Sequence, residues 1–307
     1  MTVFNHAASD KGVGYMRVLV HGVLAVVVVA TTTTGGALGI ETAGIRLPLG
    51  SIIESTQPTQ GVPVGVAHPI VVTFKRPITN RAAAEMALDV TSTPAMAGKF
   101  EWLDDKVVQW VPDGFWPAHS TIKLTVAGQP MALTTGPAVI GTAHVADHTF
   151  TVTIDGQTPP DMPAPHHLPH LGESGVLLAT MGRPEYETPI GKYTVLAKDR
   201  NVLMDSSSVG IPVDAPDGYL LDVEYAVRIT DRGLFVHSAP WAVNSLGFEN
   251  VSHGCISLSP EDAEWYFNTV NVGDPVIVQE NSVEVPRAVT PTPGADDANR
   301  TRVLIGS

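Results

Sequence analysis

The stretch Ser252-His-Gly-Cys-Ile-Ser-Leu-Ser-Pro-Glu-Asp262 joins a glycine-containing loop to the beginning of a helix. Ser259 is a typical N-cap residue, Pro260 suits the first helical position, and Asp262 follows three residues after the cap. Apolar residues then recur at helical spacing. The sequence therefore predicts one short helix directly after the loop that carries Cys255.

Short strands are predicted on both sides of this stretch. Apolar residues are grouped or alternate with polar ones in five runs, and turn residues separate them. These runs are 148–156, 193–196, 219–223, 233–237 and 274–278. A second group of short alternating runs lies between residues 65 and 127 and predicts a small β-sandwich. The predicted fold class is mainly β, with two β domains in succession.

Composition and charge exclude several classes of protein. The chain has 307 residues, of which 44% are hydrophobic, so it is not wholly disordered. The formal net charge is −13. Residues 141–280 hold 19 acidic and six basic side chains. Because no basic face can neutralise a run of phosphates, nucleic acid is not an expected partner.

The N-terminal residues have the layout of a targeting segment. Arg17 precedes an apolar run over 18–30, which is short for a bilayer span of about 20 residues. A basic flank followed by a short apolar run is typical of a secretory signal. We therefore expect residues 1–40 to be an export signal or a membrane anchor through residues 18–30. The protein is expected in the periplasm or cell wall, with cleavage of the segment left open.

The sole cysteine, Cys255, excludes intramolecular disulfides and thiolate-rich metal sites. A lone thiol in an exported protein is either deeply buried or chemically used. A thiol attacks a carbonyl as thiolate and needs a base, and His237 ends a predicted strand 18 residues earlier. The amides of Gly254 and Cys255 could form an oxyanion hole. On these residues alone, an inert buried cysteine and a nucleophile remain open alternatives.

The segment Ser252–Cys255, preceded by His237, resembles the signature of the L,D-transpeptidases, enzymes with a YkuD-type catalytic domain. The resemblance is closest to the mycobacterial-type, actinobacterial branch and covers residues 139–280. Further matching segments are 188–193, 204–207, 210–214, 216–219, 236–241 and 259–265. Residues 70–126 more weakly resemble the bacterial immunoglobulin-like domain of that branch. The implied fold is an immunoglobulin-like β-sandwich followed by a YkuD-type β-sandwich with one short helix after the cysteine motif.

The resemblance also implies roles for individual residues. Cys255 would be the nucleophile, His237 the general base and acid, and Ser238 would orient His237 through its backbone carbonyl. Gly254 would contribute to the oxyanion hole, and His253 would support the loop or the acceptor side. The implied substrate-binding residues are Met204, Tyr219, Gly233, Trp241 and Ser257. The Tyr219 hydroxyl could also help to stabilise the oxyanion.

The implied reaction joins two peptidoglycan tetrapeptide stems, the acyl donor and the acceptor, through a cysteine thioester into a 3→3 cross-link, with loss of D-alanine. Carbapenem-type β-lactams would be covalent inhibitors, and no cofactor or metal is implied. Two alternatives stay open. One is an L,D-carboxypeptidase or protein-to-wall ligase with the same site. The other is a catalytically weak wall-binding module, because Ser257 and Val209 stand where relatives commonly have Asn and Tyr.

The predicted domain organisation follows from these observations. Residues 41–60 are expected to be a linker, 61–137 the immunoglobulin-like domain, 138–280 the catalytic domain and 281–307 a disordered tail. Within the catalytic domain, residues 165–179 are expected to be an inserted loop. Three histidines of this insert are interpreted as part of a solvated loop and not as a metal site: His166, His167 and His170.

Overall fold

The computed structural model describes residues 39–42 and 45–281. These residues form a mainly β protein of two domains, as the sequence predicts. The helices are α1 (Leu49–Ile52), α2 (Arg81–Leu88) and α3 (Pro260–Thr269). The first nine strands are β1 (Gly39–Thr42), β2 (Ile45–Pro48), β3 (Ile53–Gln57), β4 (Ile70–Phe74), β5 (Thr91–Thr93), β6 (Gly98–Trp102), β7 (Val107–Pro112), β8 (Thr121–Val126) and β9 (Gln129–Thr134). The remaining strands are β10 (Val139–His144), β11 (Thr149–Ile154), β12 (Leu177–Thr180), β13 (Gly191–Thr194), β14 (Ala197–Asp205), β15 (Leu220–Arg228), β16 (Phe235–Ser238), β17 (Ile256–Leu258) and β18 (Pro275–Gln279).

The N-terminal domain is the β-sandwich that the alternating runs predict. One sheet has the strand order β3-β4-β7-β6 and the other the order β5-β8-β9, and every pair is antiparallel. Inward-facing residues of both sheets share one buried core, which includes Phe74 and Ile122. Trp110 and Trp116 lie in the same core with ring centroids 5.9 Å apart. This domain packs as an independent hydrophobic unit.

The segment predicted as a linker over 41–60 differs from the expectation. Residues 53–57 form strand β3, which pairs with β4 from Ile53 opposite Phe74 to Gln57 opposite Val71. The strand lies at the edge of its sheet, and its middle residues are exposed. Because an edge strand needs no continuous apolar pattern, its polar composition resembles that of a loop. The linker prediction was therefore wrong for these residues.

The C-terminal domain is built on a nine-stranded sheet with the order β13-β18-β10-β11-β12-β17-β16-β15-β14. One buried cluster combines residues from these strands with Ala263 and Tyr266 of α3. The backbone amide of Asp262 donates to the Ser259 hydroxyl over 3.1 Å, so the predicted cap and helix are confirmed. In the interior of the sheet, the neighbouring strands β16 and β17 run parallel to each other.

The insert predicted over 165–179 ends earlier than expected. Its last residues, Leu177 to Ala179, are buried in β12, which pairs with β11 and β17 in the sheet. The preceding part of the insert is irregular and packs beside α3, where the His166 ring lies 3.3 Å from a Glu261 carboxylate oxygen. The boundary was placed too late, because the turn at Ser174-Gly175 already ends the loop and the apolar run that follows it enters β12.

The two domains are joined by backbone hydrogen bonds. The Gly65 amide donates to the Val272 carbonyl over 2.9 Å, and the Ala67 amide donates to the Gly273 carbonyl over 2.8 Å. Gly273 has a φ of +93°, and a Cβ atom there would lie 2.7 Å from Cβ of His68. Glycine is therefore required at this close approach.

The termini largely fall outside the described residues. The predicted export signal or anchor over 1–40 is outside the described residues, except for residues 39 and 40. The predicted tail over 281–307 is also outside them, except for residue 281. Among the described residues, no helix has the length and apolar character needed to cross a membrane.

Candidate active site

Two neighbouring parallel strands bring the predicted catalytic residues to one place. His237 on β16 lies opposite Ser257 on β17. Cys255 immediately precedes β17 and is two residues before Ser257. Side chains two residues apart along an extended chain point to the same face. The register therefore directs the His237 imidazole, the Ser257 hydroxyl and the Cys255 thiol towards one side of the sheet.

The orientation of His237 is fixed by its neighbour in the chain. The ring is buried, and Nδ1 donates a hydrogen bond to the Ser238 carbonyl oxygen over 2.7 Å. Because a carbonyl oxygen only accepts, Nδ1 carries the hydrogen and Nε2 has a free lone pair. The Ser257 hydroxyl lies 3.5 Å from Nε2. Burial lowers the pKa of His237 to about 4, so the ring is a neutral base at pH 7.

The surroundings of the Cys255 thiol favour its protonated form. Its Sγ atom donates to the Gly233 carbonyl oxygen over 3.7 Å. Burial raises the pKa of the thiol to about 11, and a backbone hydrogen bond at Phe235 offsets part of this rise. The residue keeps partial solvent exposure. Both shifts favour a neutral thiol beside a neutral imidazole, so we expect the thiolate to form when an acyl donor arrives.

A network of hydrogen bonds shapes the loop before Cys255. The Thr188 hydroxyl donates to the Gly254 carbonyl over 2.7 Å and accepts from the Gly182 amide over 2.9 Å. The Ser252 hydroxyl donates to the Cys255 carbonyl over 2.7 Å and accepts from the Gly254 amide over 3.0 Å. Gly254 itself has a φ of +117°, which favours glycine.

This network corrects the predicted oxyanion hole. The Gly254 amide already donates to the Ser252 hydroxyl, so it does not point freely into the cleft. Within the described part of the chain, the Cys255 amide has no such acceptor. Of the two amides expected to bind an oxyanion, that of Cys255 is the available one.

A lid formed by residues 206–219 connects β14 to β15. Its two ends are joined because the Ser206 amide donates to the Tyr219 carbonyl over 3.0 Å and the Tyr219 amide donates to the Ser206 hydroxyl over 2.9 Å. Burial raises the pKa of the Tyr219 hydroxyl, and negative charge at Cys255 raises it further. The raised pKa keeps the Tyr219 hydroxyl protonated, and the hydroxyl interacts electrostatically with Cys255.

His253 belongs to the lid side of the site and not to the base. Its ring lies between two tyrosine rings, with centroid distances of 4.7 Å to Tyr186 and 5.1 Å to Tyr219. Its pKa is lowered first by burial and then by the positive charge of Arg183. A neutral aromatic ring in this position packs the lid against the loop that carries Cys255.

The other predicted substrate-binding residues lie around these groups. Trp241 is 53% exposed, and its ring centroid is 6.1 Å from that of His237. Gly233 is in a left-handed conformation and supplies the carbonyl that binds the thiol. Met204 lies on the edge strand β14 beside the lid and pairs with Leu221.

Sequence reasoning did not identify four residues that shape the site. Thr188 and Ser252 hold the cysteine loop, whereas Arg183 and Asp217 form an ion pair of 2.6 Å between a loop and the lid. Arg183 and Asp217 are 34 residues apart, and neither lies in a periodic pattern. Thr188, Asp217 and Ser252 lie in segments that match the family, and that membership was the available signal.

Comparison with known proteins agrees with this geometry. Residues 48–130 match the family described as bacterial Ig domain, and residues 140–278 match the L,D-transpeptidase catalytic domain. The chain is 62% identical over 271 residues to the probable L,D-transpeptidase 3 of Mycobacterium tuberculosis strain H37Rv, covering 86% of this chain and 100% of that protein.

Two solved structures are similar over most of their length. One is L,D-transpeptidase 3 from Mycobacterium tuberculosis in complex with a faropenem-derived adduct, at 66% identity and a TM-score of 0.71, covering 76% of this chain and 100% of that one. The other is the L,D-transpeptidase LdtMt1 in complex with imipenem, at 44% identity and a TM-score of 0.66, covering 74% of this chain and 98% of that one. The matches agree with the placement of His237 on β16 and of Cys255 directly before β17. They show that the chain belongs to the L,D-transpeptidase family and is a peptidoglycan L,D-transpeptidase, a cysteine acyltransferase preceded by a bacterial immunoglobulin-like domain.

Proposed function

We propose that the protein forms 3→3 cross-links between diaminopimelate-containing stems through an acyl group carried on Cys255. The observation that carries this proposal is the fixed imidazole of His237. Its Nδ1 hydrogen is committed to the Ser238 carbonyl, and its Nε2 lone pair is left on the side of the sheet from which Cys255 projects. A base held in this tautomer is suited to take the thiol proton.

In the first step, His237 accepts the Cys255 proton as the sulfur attacks the carbonyl carbon of the diaminopimelate L-centre in a tetrapeptide stem. The carbonyl electrons move to oxygen, where the Cys255 amide and the Tyr219 hydroxyl are the donors available to stabilise the charge. The tetrahedral intermediate then collapses. The bond to D-alanine breaks, and the departing amine takes the proton from His237, which leaves a thioester.

In the second step, a side-chain amine of a neighbouring stem attacks the thioester carbon. His237 now accepts a proton from the amine and returns it to the sulfur as the carbon–sulfur bond breaks. An amide cross-link and the original thiol result. The exposed face of Trp241 lies beside His237, where the acceptor has to approach, and supports a role in holding it.

Ser238, His253 and Gly254 act in this scheme by positioning. Ser238 fixes the imidazole through its carbonyl, Gly254 permits the turn before the nucleophile, and His253 packs the lid to the loop. We expect Met204, Gly233 and Ser257 to contact the stems. No step of the scheme requires a cofactor.

Inhibition and location follow from the same proposal. The similar structures hold a faropenem-derived adduct and imipenem. We expect carbapenem-type β-lactams to acylate Cys255 in the same way that a stem does. Because the substrate is outside the cytoplasmic membrane, we expect residues 1–40 to act as an export signal or an anchor.

Purified disaccharide-tetrapeptide, incubated with the protein and analysed by mass spectrometry, tests the proposal. The expected product is a dimer that has lost one D-alanine and whose fragments place the new amide between two diaminopimelate residues. Cys255→Ala should give no dimer. Release of D-alanine with tripeptide as the sole product would contradict the proposal and indicate an L,D-carboxypeptidase. The absence of both dimer and tripeptide would also contradict it and indicate a wall-binding module.

A further inference from the structure

We infer that Arg183, Tyr186 and Asp217 form a latch that positions the lid for acylation of Cys255. The inference concerns positioning residues for the same reaction and therefore rests on the proposed acylation. The latch joins two segments that are separate in the sequence, the loop before Thr188 and the lid over 206–219. Side-chain contacts between these two segments carry the inference.

The carboxylate of Asp217 is held from two directions. The Arg183 guanidinium donates to one oxygen over 2.6 Å, and the Tyr186 hydroxyl donates to the other over 3.3 Å. The guanidinium also lies over the Tyr186 ring, 4.7 Å from its centroid. Asp217 is two residues before Tyr219, so its position constrains this tyrosine, whose hydroxyl interacts electrostatically with Cys255.

The latch is connected to the cysteine loop as well as to the lid. The Arg183 amide donates to the Ser252 carbonyl over 3.1 Å, and the Ser252 amide donates to the Met181 carbonyl over 2.9 Å. The Tyr186 ring then contacts the His253 ring, which in turn contacts Tyr219. A displacement of Asp217 would therefore change the relation between Tyr219 and the loop that carries Cys255.

The interior of the lid transmits this constraint. A Cβ atom at Gly218 would collide with the carbonyl oxygens of Pro212 and Val213, so the backbone segments of the lid are in close contact. The Ile211 amide also donates to the Ser206 carbonyl over 3.0 Å. Because the lid is tightly packed within itself, we expect it to move as a unit when Asp217 is released.

Solvent exposure of the ion pair limits how much the latch can change the acylation rate. The Arg183 side chain is 25% exposed and the Asp217 side chain is 50% exposed. Ion pairs at such exposure contribute modestly and are weakened by salt. We expect loss of the latch to slow acylation by about two- to fivefold. Rapid mixing experiments resolve a change of this size.

The test measures the second-order rate constant for acylation by imipenem in the full chain. The variants are Asp217→Asn, Arg183→Gln and the double variant, and the control is Glu101→Gln. Glu101 forms an exposed ion pair with Lys99 over 2.7 Å in the N-terminal domain. Each single variant should be slowed about two- to fivefold and the double variant by the same factor, because the pair acts as one unit. The control should match wild type.

A second measurement distinguishes a role of the latch in positioning the lid from a general loss of Cys255 reactivity or of the folded structure. Alkylation of Cys255 by iodoacetamide needs no lid contact, and the hydrogen bond of the thiol goes to the Gly233 carbonyl, outside the latch. The latch variants should therefore keep the wild-type alkylation rate. Unchanged acylation in the single variants, multiplied effects in the double variant, or an equal loss of alkylation would each overturn the inference. A wild-type protein that imipenem does not acylate would instead overturn the proposed function.

Discussion

Nδ1 of His237 lies 2.7 Å from the carbonyl oxygen of Ser238, the residue that follows it in the chain. This contact selects the tautomer in which Nε2 is the acceptor. It also explains how a site without a carboxylate partner for its histidine can orient the base. Because the imidazole is buried, the backbone carbonyl supplies the orientation without placing a second charge in the interior.

Replacing the base tests its role directly. His237→Gln keeps a polar side chain of similar reach but cannot accept the thiol proton at neutral pH. Acylation by imipenem should fall by about 10²–10⁴-fold, the usual cost of losing a general base. Rates are measured at pH 7 by rapid mixing. His166→Gln, which changes an exposed histidine of the insert, should react as wild type. Equal rates in His237→Gln and wild type would assign the proton transfer to another group.

The resting state of the thiol determines how its reactivity depends on pH. Since the pKa of Cys255 is about 11 and that of His237 about 4, the thiolate fraction in the free protein is small at pH 7. Alkylation by iodoacetamide should rise about tenfold per pH unit between pH 7 and 10, because only the thiolate reacts. A plateau reached by pH 7 would show a preformed thiolate–imidazolium pair and contradict this account.

Thr188 should support both stability and activity. Its buried hydroxyl bridges the Gly182 amide and the Gly254 carbonyl, and Thr188→Val leaves both backbone groups without that partner. We expect the free energy of unfolding to fall by about 1–3 kcal/mol. Acylation of Cys255 should slow as well, because the loop before the nucleophile loses its anchor. Thermal unfolding and imipenem kinetics measure the two effects.

The matched control for this variant is Thr188→Ser, which keeps the hydroxyl and loses only a methyl group. It should retain most of the stability and of the acylation rate. If Ser and Val at this position behave alike, the hydrogen bonds to Gly182 and Gly254 do not hold the loop.

Asp274, at the junction of the two domains, should make stability depend on pH. Its side chain is fully buried, and burial raises its pKa to about 7, partly offset by hydrogen bonding at Asn271 and by the charge of Lys198. The unfolded carboxyl titrates near its ordinary value, about 4. Between these values the native state binds more protons than the unfolded state, so this group's contribution to stability is lost as pH rises from about 4 to 7.

Asp274→Asn removes that dependence and keeps an oxygen for the Asn271 amide, which Asp274 now binds over 2.7 Å. Relative to wild type, the variant should gain up to about 4 kcal/mol as pH rises across this interval. Urea unfolding at a series of pH values measures the difference. A difference that stays constant with pH would show that Asp274 is ionised throughout.

Local patterns explain which features were predictable from the sequence. The cap formed by Ser259, the helix after it and the alternating strands follow from residue types within a few positions of each other, and the structure confirms them. The closeness of His237 and Cys255, at two neighbouring strands, was inferred from a motif whose two parts lie 18 residues apart in the sequence.

Features that depend on the meeting of separate segments were not predictable. Arg183 and Asp217 carry no local signal for each other, and the Ser252 hydroxyl that binds the Gly254 amide resembles an ordinary loop residue. The edge strand at Ile53–Gln57 was missed because one-sided pairing relaxes the requirement for apolar residues. Such contacts depend on tertiary geometry that periodicity does not encode.

The most direct test of the central claim is the mass of the intact protein after incubation with imipenem, followed by peptide mapping of the modified site. We predict one stoichiometric adduct on wild type, located on the peptide that contains Cys255, and no adduct on Cys255→Ala. An adduct that persists in Cys255→Ala, or an unmodified wild-type protein, would contradict the assignment of Cys255 as the acyl carrier.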